Sequence, residues 1–135
     1  MDDSPETEPV PYERLGGETA VRALVDRFYD AMDAHEPALA ALHAREAGKV
    51  SRASRDRFAL FLIGWLGGPQ HYMRLHGHPR LRMRHAHVPV NAATRAAWIR
   101  CMRMALADDS VPAPMQRFLT DKLGEVATFL LNEST

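Results

Sequence analysis

Apolar residues recur along this chain at steps of three and four, and that spacing divides it into helices. After Gly16-Gly17, the residues Val21, Leu24, Val25, Phe28, Tyr29 and Met32 fall on the i, i+3, i+4, i+7, i+8 positions of one helical face. Pro37 interrupts that element, and residues 38–43 suit a short helix or turn. Residues 44–50 read as a loop, after which Ser51 is placed to cap a helix bearing Phe58, Phe61, Leu62, Trp65 and Leu66. Gly67-Gly68-Pro69 stops it. Pro79 suits the first position of a short helix, where its missing N–H would lack a partner anyway. Asn91 can cap the next helix, which carries Trp98, Cys101, Met102, Ala105 and Leu106. A break at residues 110–114 follows, and the last helix shows Met115, Phe118, Leu119, Leu123, Val126 and Leu130. No stretch alternates with strand period and no internal repeat is present. The pattern predicts an all-α domain whose long helices enclose a cavity.

Composition changes this picture little. A chain of 135 residues with 46% apolar and 25% charged content is long enough for one ordinary core. Residues 1–11, MDDSPETEPVP, hold acids and prolines with almost no core material, so a mobile acidic tail is expected there and a single domain over residues 12–135. Basic and acidic residues balance at 17 each, which recommends neither nucleic acid nor a membrane as partner. The lone Cys101 excludes an intrachain disulfide and fits a reducing compartment. The acidic start is unlike a secretory signal, and no apolar run reaches the roughly 20 residues of a membrane span. A cytoplasmic protein is expected, either a monomer or a homodimer.

Candidate chemistry concentrates in GHPRLRMRHAHVPV, residues 77–90, within a region that holds five of the seven histidines. HGH (76–78) and HAH (85–87) would chelate a metal if extended, but on a helix residues two apart point different ways. Without paired cysteines or an HExxH motif, a zinc site has little support. His35, His71, His76 and His87 read as surface or satisfied core histidines. His85 differs, because Leu81 lies one turn before it, Arg82 and Arg84 flank it, and Val88 and Val90 follow. An apolar slot, one axial donor and nearby cations suit heme, with its iron and its two propionates. A buried histidine at a basic, solvated helix end fits the same pattern, and the residues alone leave both readings open.

A longer series of motifs bears on that choice: YERLGG (12–17), VDRFYDAM (25–32), ALHA (41–44), FLIGWLGGPQHY (61–72), GHPRLRMRH (77–85) and AAWIRCM (96–102). In order and spacing the chain resembles a group II truncated hemoglobin over residues 12–131. The resemblance implies a globin-like two-over-two helical sandwich around heme b, iron protoporphyrin IX. It implies His85 as the proximal iron ligand, with Tyr29, Trp98 and His43 on the distal side and Ser54 and Phe58 facing the ligand. Tyr72, His78, Arg82 and Arg84 match the propionate side, and Phe61, Leu81 and Met102 match heme contacts. The chain departs from the family in a longer 44–50 segment and in AHVPV (86–90), where Val88 replaces a larger aromatic. An unfilled gap of that kind costs about 1–3 kcal/mol of apolar contact.

The resemblance also implies reversible binding of oxygen, nitric oxide and carbon monoxide. Donors from Tyr29, Trp98 and His43 would slow oxygen release, which favours nitric oxide dioxygenation or peroxide chemistry over oxygen transport. Such turnover needs a reductase partner. The alternatives are storage, scavenging or sensing without turnover, and a heme-free helical interaction module. His43 or Tyr29 is also a candidate sixth ligand in the ferric state.

Overall fold

The computed structural model describes residues 10–86 and 88–132, apart from the side chain of Arg84. The readings of residues 1–9 as a tail and of His87 as a surface or satisfied core histidine lie outside the described residues. In chain order the elements are α1 (Pro11–Leu15), α2 (Glu18–His35), α3 (Pro37–Ala40), β1 (Arg45–Glu46), β2 (Lys49–Val50), α4 (Arg52–Trp65), α5 (His71–His76), α6 (Leu81–Arg84), α7 (Ala92–Leu106) and α8 (Ala113–Phe129).

The apolar stripe of α2 is the centre of the core. Val21, Val25, Phe28 and Met32 are fully buried, and α2 packs on both α4 and α7. In turn α7 lies on α8, burying Cys101, Met102, Leu119 and Leu123. Helix pairs α2–α4 and α7–α8, joined through the α2–α7 contact, make the two-over-two sandwich that the sequence predicts. Between α4 and α8 packing is sparse, and a cavity lies there. Ser51 and Asn91 cap α4 and α7 as expected, their side-chain oxygens accepting from the N–H groups of Ser54 and Thr94.

Several elements differ from the pattern reading. Residues 44–50 contain a short antiparallel hairpin, Arg45 opposite Val50 and Glu46 opposite Lys49, turned by Ala47 and Gly48 at φ 52° and 78°. Two residues per strand give no detectable alternation. The hairpin is tied to α2 through the Val50 N–H, which donates to both carboxylate oxygens of Asp33 at 3.2 and 3.3 Å. Helix α5 has a single buried residue, Tyr72, and so no apolar stripe to read. Pro79 lies upstream of α6, and Arg80 takes the left-handed cap position at φ 48°, a conformation that strains a residue with a Cβ. Pro114 belongs to the first turn of α8, where a proline removes no helical hydrogen bond.

Pro11, assigned to the tail, begins α1 instead. The N–H of Tyr12 donates to the Leu66 carbonyl at 3.0 Å, and a Cβ on Gly68 would sit 2.7 Å from the Tyr12 ring. This close approach explains the glycine. Trp65 and Phe118, placed on buried faces by their spacing, are exposed, one step around from the residues that carry the packing.

Candidate functional site

The cavity has a volume of about 450 Å³, in the range of cofactor pockets. Its walls come from α2, α4, α5, α7, α8 and the segments around α3 and α6. His85, the C-terminal cap of α6, is one lining residue. Its Nδ1 lies 2.7 Å from the Leu81 carbonyl oxygen. A carbonyl only accepts, so Nδ1 carries the proton and the Nε2 lone pair is left available, the tautomer a metal-ligating imidazole needs.

The segment after His85 is braced from the far end of the chain. Asn132 Nδ2 donates to the carbonyls of His85 at 3.1 Å and Val88 at 2.9 Å, while its Oδ1 accepts from the Val90 N–H at 2.8 Å. Its own N–H donates to the Val90 carbonyl at 2.8 Å. Val88 and Val90 both line the cavity.

Tyr29 from α2, Trp98 from α7 and His43 after α3 line the same space. Edge-to-face ring contacts set their orientation. Tyr29 meets His43 at 5.5 Å and Phe58 at 5.9 Å, and Phe58 meets Trp98 at 6.3 Å. Phe61 and Tyr72 extend the series at 6.0 Å. Among the described residues, neither the Tyr29 hydroxyl nor the Trp98 indole N–H has a hydrogen-bond partner, and no fully buried side-chain polar atom is left unpaired. Both side chains line the cavity. Burial pushes the Tyr29 phenol well above its usual range, partly offset by the Arg55 guanidinium 5.7 Å over its ring, so the group is a neutral donor.

His43 is expected as either a donor or a proton source, and its ring contacts bear on that choice. Burial holds it below the ordinary histidine range, and its Nδ1 lies 3.0 Å from the Leu39 carbonyl. The neutral ring thus donates to Leu39 and offers Nε2 to the cavity as an acceptor.

Of the other sequence candidates, Ser54, Phe58, Phe61, Tyr72 and Leu81 line the cavity. Met102, Arg82 and His78 do not. Met102 is buried in the helix core. Arg82 lies 5.0 Å over the Phe129 ring, and His78 Nδ1 accepts the Arg80 N–H at 3.1 Å. The Arg84 side chain lies outside the described residues. Sequence reasoning missed Leu39, Arg57 and Arg95 as lining residues. Arg57 follows the polar side of α4 and carries no local signal; only the bend of the chain brings it to the rim. Among the described residues no three His, Cys, Asp or Glu side chains converge as a metal cluster.

An imidazole with a free Nε2, in an apolar slot that also holds unpaired donors, fits an iron porphyrin better than a bare metal ion. Fold and cavity together define a two-over-two globin. The chain belongs to the bacterial-like globin family, whose profile matches residues 11–132, and its relatives place it among the group II truncated hemoglobins. It is 32% identical over 124 residues to the group 2 truncated hemoglobin YjbI of Bacillus subtilis, covering 92% of this chain and 89% of that one. The hemoglobin of Chloroflexus aurantiacus superposes with a TM-score of 0.83 at 35% identity, over 93% of this chain and all (100%) of that one. The group II 2-on-2 hemoglobin of Agrobacterium tumefaciens gives 0.84 at 33% identity, over 97% and 98%.

Proposed function

We propose that this protein holds heme b through His85 Nε2 and binds oxygen and other small diatomic gases among Tyr29, Trp98 and His43, in a pocket suited to nitric oxide dioxygenation or peroxide chemistry. The observation that carries this reading is the 2.7 Å contact of His85 Nδ1 with the Leu81 carbonyl, which leaves Nε2 free in an aromatic-walled cavity. Heme held by His85 would supply an iron able to take one small gas ligand.

The chain's own residues supply the rest. The Tyr29 O–H and the Trp98 N–H are donors held ready by ring packing rather than by competing hydrogen bonds, so neither must break a bond to act. His43 Nε2 is an acceptor beside the Tyr29 ring, able to orient the hydroxyl or to receive a proton. Leu39, Phe58, Phe61 and Val126 keep the space apolar, and in a dry pocket each donor counts for more than in water. Two donors that act on a partly negative gas atom slow its escape, which favours reaction over delivery.

Reconstitution with hemin should give a Soret band at one heme per chain. Stopped-flow mixing of the oxygenated protein with nitric oxide should then give rapid ferric heme and nitrate. Absence of the band would sink the heme assignment. A band without rapid oxidation would leave gas binding and overturn the dioxygenase reading.

A further inference from the structure

Charge is segregated along this chain beyond the few cations that the family resemblance sets on the propionate side. Residues 67–107 contain no aspartate or glutamate, although the whole chain is balanced at 17 charges of each sign. The part of this run in α5, α6 and the loop between them has two faces. Tyr72, Leu81 and His85 point to the cavity. Their neighbours point to solvent: Met73 at 47%, Leu75 at 68% and Met83 at 63% exposure, with Arg74, Arg80 and Arg82 also exposed. Among the described residues no carboxylate pairs with these arginines, whereas Arg22, Arg45, Arg52 and Arg55 all have acidic partners. The wall between solvent and the His85 end of the cavity is therefore a single layer of short helix, positively charged outside and bearing exposed methionine and leucine.

We propose that this outer face of α5 and α6 is the docking surface for an acidic electron-carrier protein. The inference rests on the heme reading and deepens it, because a turnover role requires that ferric iron be reduced. A reduced one-electron carrier, such as an iron–sulfur protein, gives one electron through this wall. The carrier is oxidised by one electron and the ferric iron becomes ferrous, with no group transferred. A ring of arginines around a small apolar centre matches the composition of transient encounter surfaces, where charge steers approach and apolar contacts let the partner leave. An anionic membrane fits less well. Helices of six and four residues are short for an interfacial helix.

The test uses the full-length heme-loaded protein and a plant-type [2Fe–2S] ferredoxin as the acidic probe. Heme content is read first from the Soret band of each variant, so a failed heme assignment is seen separately from a failed docking assignment. Binding of oxidised ferredoxin is measured by calorimetry and reduction by stopped flow. At low ionic strength, Arg74→Glu/Arg80→Glu should weaken binding and slow reduction by at least about tenfold, and this difference should close as salt shortens the Debye length to roughly 3 Å at 1 M. The charge reversal Arg103→Glu/Arg117→Glu, on the α7–α8 groove, should leave both values as in wild type. Equal loss in the two pairs of substitutions, or binding by Arg74→Glu/Arg80→Glu at wild-type strength, would overturn the proposal. So would cosedimentation with phosphatidylglycerol vesicles that exceeds the affinity for ferredoxin and is lost in the same variant, since that result would assign the face to a lipid surface.

Discussion

Arg55 offers the sharpest test of how this fold is held together. Its side chain is only 8% exposed, yet it makes a fan of charge-assisted bonds from α4 to α2 and the hairpin. Nε donates to the Val50 carbonyl at 3.1 Å, one terminal nitrogen donates to Asp30 at 2.9 Å, and the other to Asp33 at 3.0 Å. These partners differ in weight. Asp30 is 62% exposed and Asp26 39%, so those pairs contribute little in water. Asp33 is 13% exposed, and breaking a buried pair from one side costs about 3–5 kcal/mol. Asp33 keeps the Val50 N–H and a 3.5 Å contact with Arg45, which offsets part of that loss. Arg55→Met preserves the apolar stem and removes the charge, for an expected destabilisation of about 3 kcal/mol. For 135 residues this corresponds to a fall in Tm of roughly 10 °C. Urea unfolding and calorimetry measure both. A loss below about 1 kcal/mol would refute the assignment of a buried, uncompensated carboxylate. Combining the change with Asp33→Asn should recover part of the loss; strict additivity would mean the two residues are not coupled.

His85→Gly should lose the Soret band and regain it when imidazole is added, and an unchanged spectrum without imidazole would remove His85 as the ligand. Tyr29→Phe and Trp98→Phe should each raise the oxygen dissociation rate, by about tenfold for each ~1.4 kcal/mol of hydrogen bond lost; equal rates would mean that neither donor reaches the gas. Asn132→Ala removes three hydrogen bonds around His85, Val88 and Val90, so heme transfer to apomyoglobin should be several-fold faster than from wild type, and an unchanged rate would show the brace to be dispensable. Burial holds His43 below its ordinary pKa of 6.5, so the unfolded chain takes up a proton before the folded one. Its contribution to stability is thus whole above pH 6.5 and is lost as pH falls below that value. In denaturant titrations between pH 7 and 5, His43→Gln should show a shallower loss than wild type, and parallel curves would contradict the burial argument.

Much of the architecture was legible because it rests on short-range periodicity. The stripes of α2, α4, α7 and α8 and the caps Ser51 and Asn91 follow from spacing and side-chain chemistry alone. His85 stood out because arginines and apolar residues flank it within one turn. Short elements escaped for the same reason: α5 buries only Tyr72, and the hairpin has two residues per strand, so neither builds a detectable period. The expected contribution of Met102 to the cavity came from the family resemblance, whereas its spacing on α7 already set it among the buried face residues, where the structure puts it.

By itself, then, the sequence pattern determined an all-helical domain, its helix boundaries to within a few residues, and an aromatic and histidine-bearing set of candidates, while the sandwich arrangement came from the family resemblance. Tertiary structure alone decided which of these share a cavity. The tautomers of His85 and His43 are set locally, by the carbonyls of Leu81 and Leu39 one turn away, but only packing brings the two rings to one space. The brace at residues 85–90 depends on Asn132, more than 40 residues later, and the burial of Arg55 on three acids of another helix. Hydrophobic periodicity is a property of neighbours along the chain. Hydrogen bonds and charge pairs between distant segments are properties of neighbours in space, which exist only once the helices have packed.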